Sequence, residues 1–279
     1  MPSESFKINS MKRMAGIAGL GMIFAMAWAA GGGVVFKDKE GNLEIRDLGS
    51  WKVTRVNEKS LAFRGTGSPF VGFFRSQGMT VRARSIEGTM TRFTRGYELD
   101  RATIRGGVNA EIAQKGSGRT SDLKGDTLVI QGGKESTQAT LTGNVTVRSE
   151  DPTKSQVFTM SGSSAVASLL PFGAKSDWPL QTLELKGPVK MRLQTAEKTE
   201  SGKANPVDLK GTADRLSYND ADRTITLYGN VFLEGTDSSV GGTSEASRVV
   251  VRLTNARLVE SIEFFGEPGR TTLKEQDKP

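Results

Sequence analysis

The sequence predicts an all-β protein of antiparallel strands, stacked in units of about 40 residues behind one N-terminal transmembrane helix. Three observations carry that expectation. A glycine-centred strand motif recurs along the chain, apolar and polar residues alternate around each glycine, and a long uncharged stretch follows a basic N-terminus.

The N-terminus, residues 1–13, holds Lys7, Lys12 and Arg13 and reads as a short cytoplasmic segment. Residues 14–36 contain no charged side chain. At ~1.5 Å rise per residue they would span about 34 Å, enough for a hydrocarbon core of ~30 Å. The basic flank orients such a helix with everything after Lys37 exported. A cleaved signal peptide is the competing reading, because Ala25-Met-Ala27 and Ala27-Trp-Ala29 offer small-residue cleavage sites. Apolar character continues through Phe36, past the usual length of a signal-peptide core, and this favours an uncleaved anchor.

Residues 37–78 carry Trp51, Phe63, Phe70, Phe73 and Phe74 with weak periodicity, and are expected to form an irregular membrane-proximal cap. The repeats fill residues 79–273. Thr103-Ile-Arg-Gly-Gly-Val108, Thr140-Leu-Thr-Gly-Asn-Val145, Leu183-Glu-Leu-Lys-Gly-Pro-Val189 and Thr226-Leu-Tyr-Gly-Asn-Val231 share one frame. Each has an apolar residue two before a glycine and a valine two after it. The glycines, Gly106, Gly143, Gly187 and Gly229, step by 37, 44 and 42 residues (143 − 106, 187 − 143, 229 − 187). Ile262-Glu-Phe-Phe-Gly-Glu-Pro268 is a weaker fifth copy. Spacing of this order marks a stacked repeat architecture.

Around the motifs one parity is apolar and the other polar, which describes half-buried strands with one dry face. The dry set comprises Ile104, Val108, Leu141, Val145, Val147, Leu185, Val189, Met191, Leu193, Leu227, Val231 and Leu233. A second strand signal precedes each motif, as in Leu123–Ile130 and Leu209–Tyr218, with turn residues at Gly132-Gly133 and Asn219–Asp222 between. Each unit is thus expected to hold four short strands of ~8–12 residues. Ser161–Gly173 and Thr195–Pro206 break the pattern, and residues 274–279 read as a frayed tail.

Composition narrows the chemistry. With no cysteine and no histidine among 279 residues, cysteine nucleophiles, imidazole bases and ordinary Cys/His zinc sites are excluded. Carboxylate catalysis survives that filter, but Asp220 and Asp222 sit where aspartate serves turn formation. The chain is basic, with a net charge of +7, yet its cations are spread along alternating strands. Dispersed charge argues against nucleic-acid binding. The densest stretch, Arg75 to Arg105, reads as a solvated strand face, or as a surface toward anionic lipid or a partner.

Leu209 to Val231 pairs an Ala-Asp-Arg-Leu-Ser-Tyr strand with an acidic turn and then Leu-Tyr-Gly-Asn-Val, and Asp122 to Val147 repeats the theme. In these residues the chain resembles the OstA-like (LptA–LptC) family of lipopolysaccharide-export proteins, and its predicted anchor is similar to the membrane-anchored LptC members. The resemblance covers roughly Ile86 to the C-terminus. It implies a V-shaped open antiparallel β-jelly roll whose apolar inner faces hold acyl chains, with no enzymatic activity, cofactor or metal. It also implies lipopolysaccharide or a similar amphiphile as ligand, an inner-membrane lipid exporter as neighbour, and a periplasmic jelly-roll bridge protein joined by edge-strand pairing. The exported part is longer than a typical LptC domain, which suggests additional rungs or a fused bridge section. On the residues alone the dry set forms either a trough for acyl chains, at ~0.8 kcal/mol per buried CH₂, or an ordinary sandwich core. An exported β-repeat scaffold or adhesin that binds proteins through its sheet edges is the alternative from another functional class.

Overall fold

The alternation does not stop at the glycines; it runs through them, and the strands are correspondingly long. The computed structural model describes residues 34–37, 43–75, 78–93, 96–113, 118–152, 155–171, 174, 176, 179–198, 204–236, 240–255, 259–266 and 270–275. The strands are β1 (Val34–Lys37), β2 (Leu43–Arg55), β3 (Ser60–Phe74), β4 (Met79–Phe93), β5 (Gly96–Ala113), β6 (Thr120–Gln131) and β7 (Thr137–Asp151). They continue as β8 (Gln156–Leu169), β9 (Leu180–Lys198), β10 (Ala204–Asn219), β11 (Thr224–Thr236), β12 (Val240–Leu253), β13 (Val259–Phe265) and β14 (Arg270–Glu275). All belong to one antiparallel sheet in which β1 to β13 follow chain order, and β14 pairs with β12 beside β13.

Each unit of about 40 residues therefore holds two long strands, not the four short ones expected from the turn signals. The reason is a bulge in the middle of each strand. In β5, β7, β9 and β11 the pairs Gly106-Gly107, Gly143-Asn144, Gly187-Pro188 and Gly229-Asn230 lie opposite a single residue of the next strand. One extra residue bends a strand and sharpens its twist without ending the ladder. Gly143 and Asn144 both take left-handed backbone, as do Gly229 and Asn230. Glycine and asparagine tolerate that conformation best, which accounts for the Gly-Asn dipeptide. The four motifs stack along one crease that crosses the sheet.

Between them, the even-numbered strands turn the same corner differently. Asp126-Thr127, Ser163-Ser164, Asp214-Arg215 and Ser247-Arg248 each place two consecutive residues outward, so the inward parity changes phase there. In β6 the inward set passes from Leu123 and Gly125 to Leu128 and Ile130; in β10 it passes from Gly211 and Ala213 to Leu216 and Tyr218. Every described element is a strand, yet Ile104, Val145, Leu185, Leu227 and Val249 are fully buried. A single sheet can dry one of its faces so completely only by folding over itself at the crease. Its two halves thus share one continuous core. The ladder itself stays open, since β1 and β13 do not pair with each other.

Four local expectations are corrected. The stretch expected to be an irregular cap, residues 37–78, is not irregular: β2 and β3 join the sheet and add Ile45, Leu48, Phe70 and Phe74 to the core. Ser161 to Leu169 continues β8, because its serines alternate with inward Ala165, Ala167 and Leu169. The expected loop at Thr195 to Pro206 is largely strand, with β9 reaching Lys198 and β10 starting at Ala204. Lys274 and Glu275, expected to fray, pair with Gly241 and Val240. The predicted anchor lies outside the described residues except for Val34 to Phe36, which form β1 against β2 instead of helix. Among the described residues no helix is long and apolar enough to cross a membrane.

Candidate functional site

Cross-strand register builds the inner face row by row. On one side of the crease Ile86, Ile104, Leu128, Leu141, Ala165, Leu185, Leu216, Leu227, Val249 and Phe264 are successive partners across β4 to β13. With neighbouring strands ~4.8 Å apart, this apolar row runs for about 43 Å. On the other side Ala110, Leu123, Val147, Met160, Met191, Gly211 and Leu233 form a second row, ending at Ser244. Val108, Val145, Val189 and Val231 lie just past the crease.

All twelve residues expected to be dry are buried, and all but Leu193 share one core cluster: Ile104, Val108, Leu141, Val145, Val147, Leu185, Val189, Met191, Leu193, Leu227, Val231 and Leu233. They come from the odd-numbered strands β5, β7, β9 and β11. The even-numbered strands contribute equally buried partners that periodicity missed, among them Leu128, Ile130, Leu216, Val249 and Val251. Their signal was broken by the phase change at the crease.

Burial is near complete in the middle of the row and fails at one end. Val249 is 0% exposed, whereas its inward partner Phe264 on β13 is 44% exposed. Strands β13 and β14 pair on one side only among the described residues. The apolar interior therefore reaches solvent at the C-terminal edge. Phe265, its outward neighbour, stacks against the Arg248 guanidinium at 4.2 Å, and two strands further in Arg215 stacks on Tyr228 at 4.3 Å.

The outer face is polar and ion-paired. The stretch from Arg75 to Arg105 lies there: Arg75 donates to Glu44 at 2.6 Å, Arg105 to Glu87, and Arg82 lies 3.8 Å from Glu111. Glu44 is buried between Arg75 and Arg46, and the hydrogen bond from Arg75 holds its carboxyl below the usual range against the opposing effect of burial. Hydrogen bonds from Arg105 and Arg192 lower Glu87 and Asp208 in the same way. Asp220 and Asp222 occupy the β10–β11 turn, as expected. Asp220 accepts from the Tyr218 hydroxyl, and Asp222 accepts from the Asn219 amide at 2.7 Å. Both hydrogen bonds close the turn on itself. Among the described residues no group of three or more acidic side chains is placed to hold a metal ion.

No curated protein matches the chain at a meaningful level of similarity. Residues 131–255 match the family model described as LptA/(LptD N-terminal domain) LPS transport protein. The match takes in β7 to β12 entire. Strands β4 and β5 lie outside it, yet they bend at the same crease and carry the inward rows onward. By that match and by their place in an open, all-β antiparallel sheet, residues 131–255 are similar to the LptA/LptD N-terminal family of lipopolysaccharide transport proteins.

Proposed function

We propose that the chain is a carrier or bridge for lipopolysaccharide or a similar amphiphile, holding acyl chains between the two halves of its creased sheet during export from the inner to the outer membrane. One observation carries this reading. The apolar interior runs unbroken across the strands and emerges, uncovered, at Phe264 on the open edge. A self-contained core has no use for an inward aromatic that stands nearly half in water. An acyl chain laid along the row would bury that ring and gain ~0.8 kcal/mol for each CH₂ removed from water. The twelve dry residues would then be the walls of a V-shaped groove, and the crease its hinge.

The edge of β13 and β14 supports the partner side of the reading. Unpaired strand edges template the addition of another strand. A neighbouring periplasmic jelly roll adding there would continue both the sheet and the apolar row. The uncharged stretch ahead of β1, residues 14–33, would anchor the chain in the inner membrane beside a lipid exporter, with the remainder in the periplasm, because the basic flank precedes it. The layout then corresponds to a membrane-anchored LptC-like member extended by bridge-like rungs.

Mass spectrometry of the organic extract from the purified full-length chain tests carriage directly. A multiply acylated amphiphile in near-stoichiometric amount is expected. A clean extract, together with proteins captured through the sheet edges, would instead favour an exported scaffold or adhesin.

A further inference from the structure

We propose a second binding site, for a phosphate monoester or diphosphate, on the outer face of the half-sheet formed by β6 to β9, separate from the apolar interior. A cavity of about 390 Å³ opens there, with Lys124, Arg148, Lys190 and Arg192 around it. Between these cations it is lined by Thr146, Thr159 and Ser161, with Val147, Met160 and Met191 between them along the same strands.

Register explains the shape. Lys124 pairs with Thr146, Thr146 with Ser161, and Ser161 with Lys190. The two lysines thus stand three strand steps apart, about 14 Å between backbones, with only short side chains between them. In the adjacent row Arg148, Thr159 and Arg192 repeat the arrangement. Long side chains on β8 would fill the trough; threonine and serine leave it open and supply hydroxyl donors.

The four cations are not equivalent. Arg148 is paired with Glu150, and Arg192 donates two hydrogen bonds to Asp208, at 2.8 and 2.5 Å. Their guanidiniums are fixed and their charge is answered. Lys124 and Lys190 have no carboxylate partner among the described residues. Their flexible stems flank the cavity from β6 and β9, so their unanswered charge borders the space above Thr146 and Ser161. Two ammonium groups and several hydroxyl donors suit a doubly charged anion with many acceptor oxygens. Asp122, two residues before Lys124 on β6 and opposite Arg148, disfavours an anion at that corner of the cavity. A phosphorylated sugar headgroup and free phosphate offer the same chemistry here.

The site does not depend on lipid carriage and is tested apart from it. Titrate the detergent-solubilised full-length chain with pyrophosphate, with glucosamine 1-phosphate, and with vesicles containing phosphatidylglycerol, at two salt concentrations. Saturable binding of both soluble phosphates is expected, weakening as salt rises. The double variant Lys124→Gln/Lys190→Gln should lose at least tenfold in affinity with an unchanged melting temperature. Lys124→Arg/Lys190→Arg should restore binding, and Lys52→Gln, on the distant β2, should leave it intact. Absence of soluble-phosphate binding in the wild type would overturn the site, as would equal binding by the glutamine variant. Binding to vesicles alone, undiminished in that variant, would place the charge contact elsewhere and overturn it too.

Discussion

Gly229 and Gly107 show how much of the crease depends on single backbone positions. Gly229 has left-handed backbone, and a Cβ there would lie 2.2 Å from the Asp214 carboxylate. Gly229→Ala should lose roughly 1–3 kcal/mol, from left-handed strain and from displacement of Asp214. Gly107 is also left-handed, but a Cβ there would meet nothing within 4 Å. It corresponds to Asn144 and Asn230, so Gly107→Asn should change stability by no more than about 0.5 kcal/mol. Thermal denaturation of the two variants separates them; equal losses would mean that space beside the bulge is not the deciding factor. Acid sensitivity belongs to this scale as well. Glu44, Glu87 and Asp208 have folded-state pKa values held below their unfolded ones. Such groups contribute stability that is present above the unfolded value and lost as pH falls through the folded one. Stability should therefore be flat near neutrality and decline below about pH 4.5. Glu44→Gln should flatten that decline most, since Glu44 is the buried member of the three. A pH titration of the melting temperature checks it, and an unchanged slope would contradict the assignment.

At the scale of the element, the strand signals at Leu123–Ile130 and Leu209–Tyr218 became β6 and β10, but the inward face was legible only in the odd-numbered strands, for one physical reason. Odd-numbered strands bulge at a glycine and keep their inward parity, so Leu141 and Val145, or Leu227 and Val231, read as one alternation. Even-numbered strands turn the corner with two outward residues, and the phase change erases the period. Ser161 to Leu169 looked like a break for this reason, and Leu128, Leu216 and Val249 escaped the list of dry residues. Residues 37–78 were obscured by aromatic residues on both parities, Phe73 outward among Arg46 and Arg75 and Phe74 inward. The edge strands carry a prediction of their own. Photo-crosslinkers at Glu263 on β13 and Leu273 on β14 should capture a periplasmic β-sheet partner, because both strands have one unpaired side among the described residues. Capture at β1 or β2 with none at these positions would reverse the polarity of assembly.

For the whole molecule, the question is whether the folded sheet is a closed core or a groove that parts along its crease. Val189 and Val231 are 1% and 2% exposed and sit beside that crease, one on each of two alternate strands. In a closed core an ion there would have to stay dry, at a penalty of several kcal/mol, and the fold would fail. In a groove whose halves separate to admit acyl chains, water reaches the same position. The ladders on either side then hold while the hydrocarbon is expelled. The decisive measurement is the lipid-to-protein ratio by mass spectrometry, taken with the melting temperature, for full-length Val231→Asp and Val189→Arg against the wild type. Carriage requires lipid in the wild type, its loss in both variants, and a cooperative melting transition retained within several degrees. Lipid-free wild-type protein would contradict it, and so would variants that collapse as a closed core must.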